Sequence, residues 1–322
     1  MEAVKEEKIQ EQQPIRLKKS KIPTQRKLFI ILMLAYPILH FLVFFVYINF
    51  NTIVKSFQEF SFKSGGEVFV GLRNYIEFFQ NFNTEGTPVL RYSITNSVKF
   101  LIFNNFILLP ISILCAYLLF KKVFGEQVFR VVFFLPNIIS PVVLTMAFKF
   151  MFDNNFGPIV GLFEKLGWHS LVPENGFFGE KGLAQTMIFA YCLWAGIGYN
   201  VLLLSGSIAR IPTEVLEAGK IDGIGMVREF IQIVVPLIMP TVSTLFVTGS
   251  MVMFTLFLQP MLLTQGGPNS STYTIAYYIV DLVNNNYLYD AAAAGVIVSV
   301  VGIPIVQGIK WLMEKFTPGV EF

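Results

Sequence analysis

The sequence predicts an all-α integral membrane protein that crosses the bilayer six times. Of its 322 residues, 54% are hydrophobic and only 14% are charged, and the mean hydropathy is +0.61. A soluble protein carries about 25% charged residues, because its surface has to stay hydrated. The apolar residues also fall into six long stretches with almost no charge, and a helix needs about 20 such residues to cross the hydrocarbon core. Helices follow because a backbone in lipid must satisfy its own hydrogen bonds.

The spans are placed by the stretches that lack charged residues. The first stretch is too long for the apolar core of a cleaved signal peptide, so it is expected to be a true span. The six predicted spans lie in or near Leu28–Val54, Ser97–Phe120, Val131–Phe152, Gly182–Ala209, Ile231–Leu258 and Ala291–Ile309.

Neither a repeat nor a polar linker divides the chain, so one membrane domain is expected over residues 28–313. A basic tail, 1–27, precedes it and a short tail, 314–322, follows it. The connecting segments near 55–92 and 153–181 are too short for independent domains and are rich in Gly, Pro, Asn and aromatic residues. Such segments are typical of loops or short interfacial helices.

Lys and Arg are distributed unevenly between the two sides of the predicted bundle. Sixteen lie on the side that carries both tails, and six lie in the opposite loops. Because cytoplasmic segments carry the excess of basic residues, both termini are expected in the cytoplasm. The basic tail could also be a nucleic-acid arm, but orientation is the simpler explanation and the net charge is only +3. No nucleic-acid partner is expected.

The sequence offers no pattern for catalysis or metal binding. It contains no phosphate-cradling loop and no nucleophile elbow, and His40 and His169 are far apart in the chain. Cys115 and Cys192 both lie inside apolar stretches, which disfavours a structural disulfide. No carboxylate is central to a span, which disfavours a proton- or ion-coupled carrier. We therefore expect no catalytic residue, no metal site and no cofactor bound by this chain.

The loop between the fourth and fifth spans predicts a short capped helix. Pro212 ends the incoming span, Thr213 is a suitable N-cap, and Glu214 and Glu217 place negative charge where the helix dipole favours it. Gly223 suits the left-handed position that stops a helix, after about three turns. A helix this short is unstable alone in water, so it needs a groove to lie in. Composition alone also fits an ordinary surface helix.

The spacing in this loop matches a known pattern. Glu217-Ala218-Gly219 is followed after three residues by Gly223 and after nine more by Ile233-Val234-Val235-Pro236, which fits E-A-A-x3-G-x9-I-x-L-P. The chain therefore resembles the permease subunits of binding-protein-dependent ABC importers. Gly219 replaces the second Ala and Val235 replaces Leu; Gly219 should loosen the helix by roughly 1 kcal/mol relative to Ala.

Four further motifs resemble the branch of this family that contains maltose and multiple-sugar permeases. Each is weak alone, but they occur in order and at the right distances. They are Phe69-Val70-Gly71-Leu72-Arg73-Asn74-Tyr75, Asn96-Ser97, Arg130-Val131-Val132-Phe133-Phe134-Leu135-Pro136 and Gly266-Gly267-Pro268.

The resemblance implies a six-helix type I ABC importer permease with a cytoplasmic coupling helix in the loop 211–230, in a bacterial plasma membrane. Its partners would be a second permease, two ATPases that hold ATP and Mg²⁺, an extracellular sugar-binding protein and membrane lipid. It would have no enzymatic activity of its own. The residues implied in contact with the ATPase are Glu217, Ala218, Gly219, Asp222 and Gly223.

A sugar is bound by aromatic faces and neutral hydrogen-bonding side chains, and spans four and five offer both. Aromatic residues in spans more often serve packing, so this assignment competes with a structural role. Two other functions stay open: an ABC permease for a phosphate ester or a peptide, and an independent channel or facilitator. The candidate substrate-path residues are Tyr191, Trp194, Tyr199, Asn200, Phe254, Phe257 and Gln259.

Overall fold

The computed structural model describes residues 24–83 and 89–317, and this part of the chain is mostly helical. The basic tail therefore lies largely outside the described residues, as do the last residues of the C-terminal tail. The α-helices are α1 (Thr24–Phe41), α2 (Ile48–Lys55), α3 (Arg73–Asn83), α4 (Val89–Phe103), α5 (Leu109–Phe120), α6 (Glu126–Ile138), α7 (Pro141–Met151), α8 (Pro158–Lys165), α9 (Lys181–Ile208), α10 (Thr213–Ile221), α11 (Met226–Glu229), α12 (Val235–Leu237), α13 (Met239–Thr255), α14 (Ile275–Asn284) and α15 (Leu288–Phe316).

Short π-helical segments interrupt or extend several of these helices. Leu42–Tyr47 joins α1 to α2, and Asn104–Leu108 joins α4 to α5. Phe230–Val234 and Pro260–Thr264 lie on either side of α13. A π-segment inside a longer helix is frequently found at a functional position.

The chain divides into two units at Asn51 and Thr52. The described part of the first unit is a single helix, and every side chain from Gln25 to Asn51 is exposed. A helix that is apolar on all sides fits lipid or another membrane-spanning chain. The structure thus confirms a helix over the predicted span Leu28–Val54.

The described part of the second unit holds four helices long and apolar enough to span a membrane, and they correspond to the second, fourth, fifth and sixth predicted spans. The fifth span is interrupted at Leu256, which is extended. The ends of the helices differ from the predictions. The helix of the second span begins at Val89, before the predicted start at Ser97, because the helix also includes the charged residue Arg91. The fifth is shifted toward the C-terminus, because the chain kinks at Ile238 between two prolines. The four helices are Val89–Phe120, Lys181–Ile208, Met239–Thr264 and Leu288–Phe316.

The third predicted span, Val131–Phe152, is not one straight helix. It consists of α6 and α7, which meet at an angle of 112°. Ile139 and Ser140 are extended, and Pro141 is the first residue of α7. Because proline disfavours a helical residue before it and lacks an N–H, the bend falls where the sequence requires it.

The segment before span two contains a small sheet, which the sequence analysis did not predict. Strands β1 (Gln58–Ser61) and β2 (Gly66–Phe69) form an antiparallel hairpin. Asn74 at the start of α3 donates hydrogen bonds to the carbonyls of Ser56 and Gln58, at 3.0 and 2.9 Å. The short helices α3 and α8 agree with the expectation of short helices in these segments, whereas the hairpin adds a sheet to them.

The second unit packs around α9. Helix α5 lies along it, and α6 packs against it where Gly198 leaves room for the chain. A Cβ on Gly198 would lie 2.0 Å from the carbonyl oxygen of Phe133. The main core contains apolar side chains from the span-two, span-four and span-five helices, including Leu109, Val201 and Leu245.

Candidate functional site

Helix α10 is a short helix whose ends are set by Pro212 and Gly223. Two backbone hydrogen bonds close its C-terminal end. The N–H of Gly223 donates to the carbonyl of Lys220 and the N–H of Ile224 donates to the carbonyl of Gly219, both at 3.1 Å. Gly223 has a φ of +70°, so the predicted left-handed stop is confirmed. At the other end, Pro212 occupies the N-cap position. The prediction of Thr213 as the N-cap is therefore wrong: it is the first helical residue.

One face of α10 is presented outward. Glu217, Ala218, Asp222 and Gly223 are all exposed, whereas Gly219 is buried. The apolar side chain of Ile221 is 87% exposed. Met226 and Val227 in the following segment are exposed as well, so this loop presents several apolar side chains together with charged ones.

Gly219 is buried because two isoleucines close over it. A Cβ at this position would lie 2.7 Å from Cδ1 of Ile224 and 3.0 Å from Cδ1 of Ile233. Both atoms are the ends of flexible side chains. Gly219, which replaces the second Ala of the family pattern, therefore lies where the side chains of Ile224 and Ile233 pack onto α10.

Below α10, the loop is tied to the end of span two by contacts that the sequence analysis missed. The Nζ of Lys121 lies 2.6 Å from Oε1 of Glu229, and the hydroxyl of Tyr117 donates to the carbonyl of Met226 at 3.1 Å. The ring of Tyr117 also packs against Phe230, with centroids 4.9 Å apart. These pairs join residues more than 100 positions apart, and no local pattern indicates them.

A cavity of about 330 Å³ lies at the bend between α6 and α7. It is bounded by Pro136 and Pro141 at the bend, and by residues from spans two, four and five. Its full lining is Phe100, Phe103, Asn104, Pro136, Asn137, Ile139, Pro141, Leu144, Tyr191, Cys192, Ala195, Gly196, Val252, Leu256 and Gln259. The lining thus offers amide and aromatic groups and includes no Asp, Glu, Lys or Arg.

Of the seven candidate path residues, Tyr191 and Gln259 line this cavity. Trp194 stacks on Phe148 with centroids 6.0 Å apart and lies beside the second core cluster. Asn200 is buried and donates to the hydroxyl of Ser112 at 3.5 Å.

The three remaining candidates lie away from the cavity lining. Tyr199 is 57% exposed, Phe257 is also exposed, and Phe254 packs near Gly302 on α15. Whether any of the seven touches a substrate stays a prediction.

Asn104 and Asn137 line the cavity and were not among the predicted residues. Asn104 begins the π-segment of span two, and Asn137 lies directly after Pro136, just before the bend. Amides inside apolar stretches are the feature of the sequence that could have indicated them, since buried polar groups in lipid need partners.

Two of the weak motifs form one structural unit. The amide of Asn96 donates to the carbonyls of Ser271 and Tyr273, at 2.7 and 2.9 Å, and the Ser97 hydroxyl accepts from the N–H of Ile275. A Cβ on Gly266, just before this loop segment, would lie 2.1 Å from the Tyr273 ring. The Asn-Ser pair and the Gly-Gly-Pro turn therefore fix the connection between α13 and α14 against span two.

Within residues 24–83 and 89–317, no group of three or more His, Cys, Asp or Glu residues is arranged to hold a metal ion. In the same ranges both cysteines are free thiols.

Comparison with known proteins identifies the family. Residues 108–320 match the family described as "Binding-protein-dependent transport system inner membrane component". The chain is 30% identical to the multiple sugar-binding transport system permease protein MsmF of Streptococcus mutans, over 88% of this chain and 94% of that protein. It is 29% identical to the probable ABC transporter permease protein YurN of Bacillus subtilis, over 76% of this chain and 81% of that protein.

A third relative and a solved structure extend the comparison. The sn-glycerol-3-phosphate transport system permease protein UgpA of Yersinia pseudotuberculosis is 30% identical, over 66% of this chain and 68% of that protein. A chain of a bacterial ABC transporter involved in the import of the acidic polysaccharide alginate superposes with a TM-score of 0.78 at 20% identity, covering 91% of this chain and 98% of that one. That likeness shows a shared fold.

Proposed function

The chain belongs to the family of binding-protein-dependent transport system inner membrane components, and from this premise we propose that it is the permease subunit of an ABC importer for a sugar or oligosaccharide. The observation that carries the proposal is the similarity to a multiple-sugar permease, which extends over 88% of this chain. The exposed face of α10 supports this proposal, because a permease of this kind needs a surface on which its ATPase subunits can dock.

ATP would be hydrolysed on partner chains. Two ATPases would close around ATP and Mg²⁺ and push on α10 through its exposed residues Glu217, Ala218, Asp222 and Gly223, with Gly219 buried behind them. Because both ends of α10 are held by backbone bonds and a proline, the push would move the helix as a body and rock the spans joined to it. This chain would itself carry no catalytic residue and bind no cofactor.

The substrate would pass along the cavity at the bend of the third span. The amides of Asn104, Asn137 and Gln259 can bond to sugar hydroxyls. Tyr191 lines the same cavity, but its ring is buried against Phe148 and Trp194, which favours a packing role for it. The absence of a charged residue from this lining favours a neutral solute. A second permease would supply the other half of the path, and an extracellular binding protein would deliver the sugar.

A phosphate ester is the second candidate, because UgpA is 30% identical. It needs a cationic partner for its phosphate group. The cavity lining contains no Lys or Arg, so this chain alone would not supply one. An independent facilitator does not fit a family that depends on a binding protein.

Both termini would lie in the cytoplasm of a bacterial cell, on the side that carries the sixteen basic residues. The contact between Lys121 and Glu229 supports this arrangement, because it brings two loops assigned to that side to the same end of the bundle.

Co-purification tests the assembly. The chain, tagged and expressed with its neighbouring genes, should bring down an ATPase and a second permease, and the complex should show ATPase activity that a sugar-loaded binding protein stimulates. A chain that purifies alone and transports alone would contradict the proposal. Stimulation by a glycerol phosphate-loaded protein, and not by any sugar-loaded one, would select the second candidate.

A further inference from the structure

A buried ion pair connects the coupling loop to span two. The ammonium of Lys121, directly after α5, lies 2.6 Å from Oε1 of Glu229 and donates to Oε2 at 2.7 Å. The side chain of Glu229 is only 4% exposed and that of Lys121 only 23% exposed. Charges withdrawn from water this far are costly to separate, so the two groups hold their segments together more firmly than a surface pair would.

The pair is reinforced by its surroundings. Tyr117, one turn before Lys121, donates to the carbonyl of Met226 and packs on Phe230. The Lys121 ammonium also lies 5.7 Å from the centroid of the Tyr117 ring, close enough for a cation–π contact. The end of α5 and the segment 226–230 are therefore fastened by a charge pair, a hydrogen bond and an aromatic contact.

This fastening adds a connection that the covalent chain does not provide. Helix α10 is joined through the backbone to α9 and α11, but span two is not adjacent to it in sequence. Span two leads from Lys121 back through α5 to the π-segment Asn104–Leu108, whose first residue lines the cavity. At 1.5 Å per residue that distance is about 25 Å of helix.

We propose that Lys121 and Glu229 are positioning residues that make span two follow the coupling loop, so that a stroke on α10 also moves the cavity wall that carries Asn104. The proposal rests on the proposed function, since it assumes that a motor pushes on α10. It gives span two a mechanical role in transport without any contact with ATPase or sugar.

Charge variants of the reconstituted complex test this role. Lys121→Met and Glu229→Gln should each assemble and hydrolyse ATP, but sugar uptake per ATP should fall about tenfold, a typical coupling effect. The reversed pair, Lys121→Glu with Glu229→Lys, should recover at least half of the wild-type ratio. Lys122→Met is the matched control, because Lys122 is exposed and forms no ion pair with any residue in 24–83 or 89–317; it should behave as wild type. Wild-type ratios in both single variants would overturn the proposal.

A cross-link gives a second measurement that does not depend on the stability of the charge variants. In a background with Cys115→Ala and Cys192→Ala, cysteines at positions 121 and 229 are joined by a short bismaleimide. The cross-linked complex should keep at least half of its uptake, because the two segments move together. A block of transport on cross-linking would overturn the proposal.

Uptake by the wild-type complex separates this inference from the proposed function. Failure of wild-type sugar uptake would count against the proposed function. A transporting wild type whose variants keep normal coupling, or whose cross-link blocks transport, would count against the ion-pair role alone.

Discussion

Gly223 ends α10 with a left-handed backbone and open space around it. Its φ is +70°, and a Cβ there would meet no atom within 4 Å. A substitution at Gly223 therefore costs about 1 kcal/mol in backbone strain. Within this chain the new side chain would meet no atom, so any steric clash would be with a partner that docks on this surface.

Gly223→Asp should abolish uptake by the assembled complex, because it adds a charge at the end of the docking face. Gly223→Asn is the matched control, since it has the same size and nearly the same backbone strain without the charge. It should retain a substantial part of the uptake. Both variants should still insert in the membrane, as measured by membrane fractionation. Normal uptake by Gly223→Asp would show that this helix end does not meet the ATPase.

Gly198 is a point of close approach between α9 and α6. A Cβ at this position would lie 2.0 Å from the carbonyl oxygen of Phe133 and 2.3 Å from the amide nitrogen of Asn137. Because the first contact is with backbone, no side-chain movement can relieve it.

Gly198→Ala should lower the stability of the purified complex by about 2 kcal/mol, a typical cost of overpacking. Gly206→Ala on the same helix is the control, because its Cβ would meet no atom within 4 Å; it should be neutral or stabilising by up to about 1 kcal/mol. Thermal unfolding in detergent measures both. Equal melting temperatures for the two variants would mean that α6 and α9 are not in close contact.

Individual residues divide into those that a local pattern reveals and those that it does not. The role of Gly223 at the C-terminal end of α10 could be predicted, because a left-handed stop depends on local sequence, whereas the N-cap was predicted one residue too late, at Thr213 instead of Pro212. The contact between Lys121 and Glu229 could not be predicted, since it depends on the packing of two spans. The role of Gly198 could not be predicted either, because it depends on how closely α6 packs against α9.

Among the elements, the broken span carries the cavity. The predicted stretch Val131–Phe152 has the length and composition of an ordinary span, so hydropathy alone could not reveal the bend. Pro136 and Pro141 in this stretch could produce a kink, yet most prolines in spans are tolerated, since neighbouring groups satisfy the freed backbone. The extended conformation of Ile139 and Ser140 decides the outcome here.

The cavity and the packing around it can be separated by two substitutions. Gln259→Leu removes one hydrogen-bonding group from the cavity lining and should lower sugar uptake about fivefold, while stimulated ATPase activity stays. Gln307→Leu on α15, an exposed amide outside the cavity lining, should leave both unchanged. Equal uptake by the two variants would remove Gln259 from the substrate path.

Trp194→Ala should give the opposite pattern. Trp194 packs against Phe148 and Tyr191, so its removal leaves a gap and costs about 3 kcal/mol by analogy with soluble cores. Assembly, transport and ATPase activity should then decline together. Normal assembly with reduced uptake alone would place Trp194 in the substrate path after all.

For the whole molecule, composition and charge were sufficient to predict a helical membrane protein with several spans. The spacing of the loop motif added the family. Hydropathy shows which segments are apolar but not which segments contact each other. It therefore could not predict the small sheet β1–β2 or the hydrogen bonds between Asn96-Ser97 and the loop that follows the Gly-Gly-Pro turn.

The orientation of the bundle depends on the charge distribution and can be tested by labelling. In a background with Cys115→Ala and Cys192→Ala, Ser64→Cys in the hairpin turn should react with a membrane-impermeant maleimide on intact cells. Lys220→Cys, on the exposed face of α10, should react only after the cells are opened. The reverse pattern would place the coupling loop outside the cell and contradict the assignment of sides.

The most direct test of the account is uptake of radiolabelled sugar by proteoliposomes that contain the purified complex of this chain with its second permease and ATPases. Accumulation should require ATP on the side of α10 and the sugar-loaded binding protein on the opposite side, and it should exceed the external concentration. Equilibration of sugar without ATP or binding protein would contradict the account, because it would make this chain a facilitator.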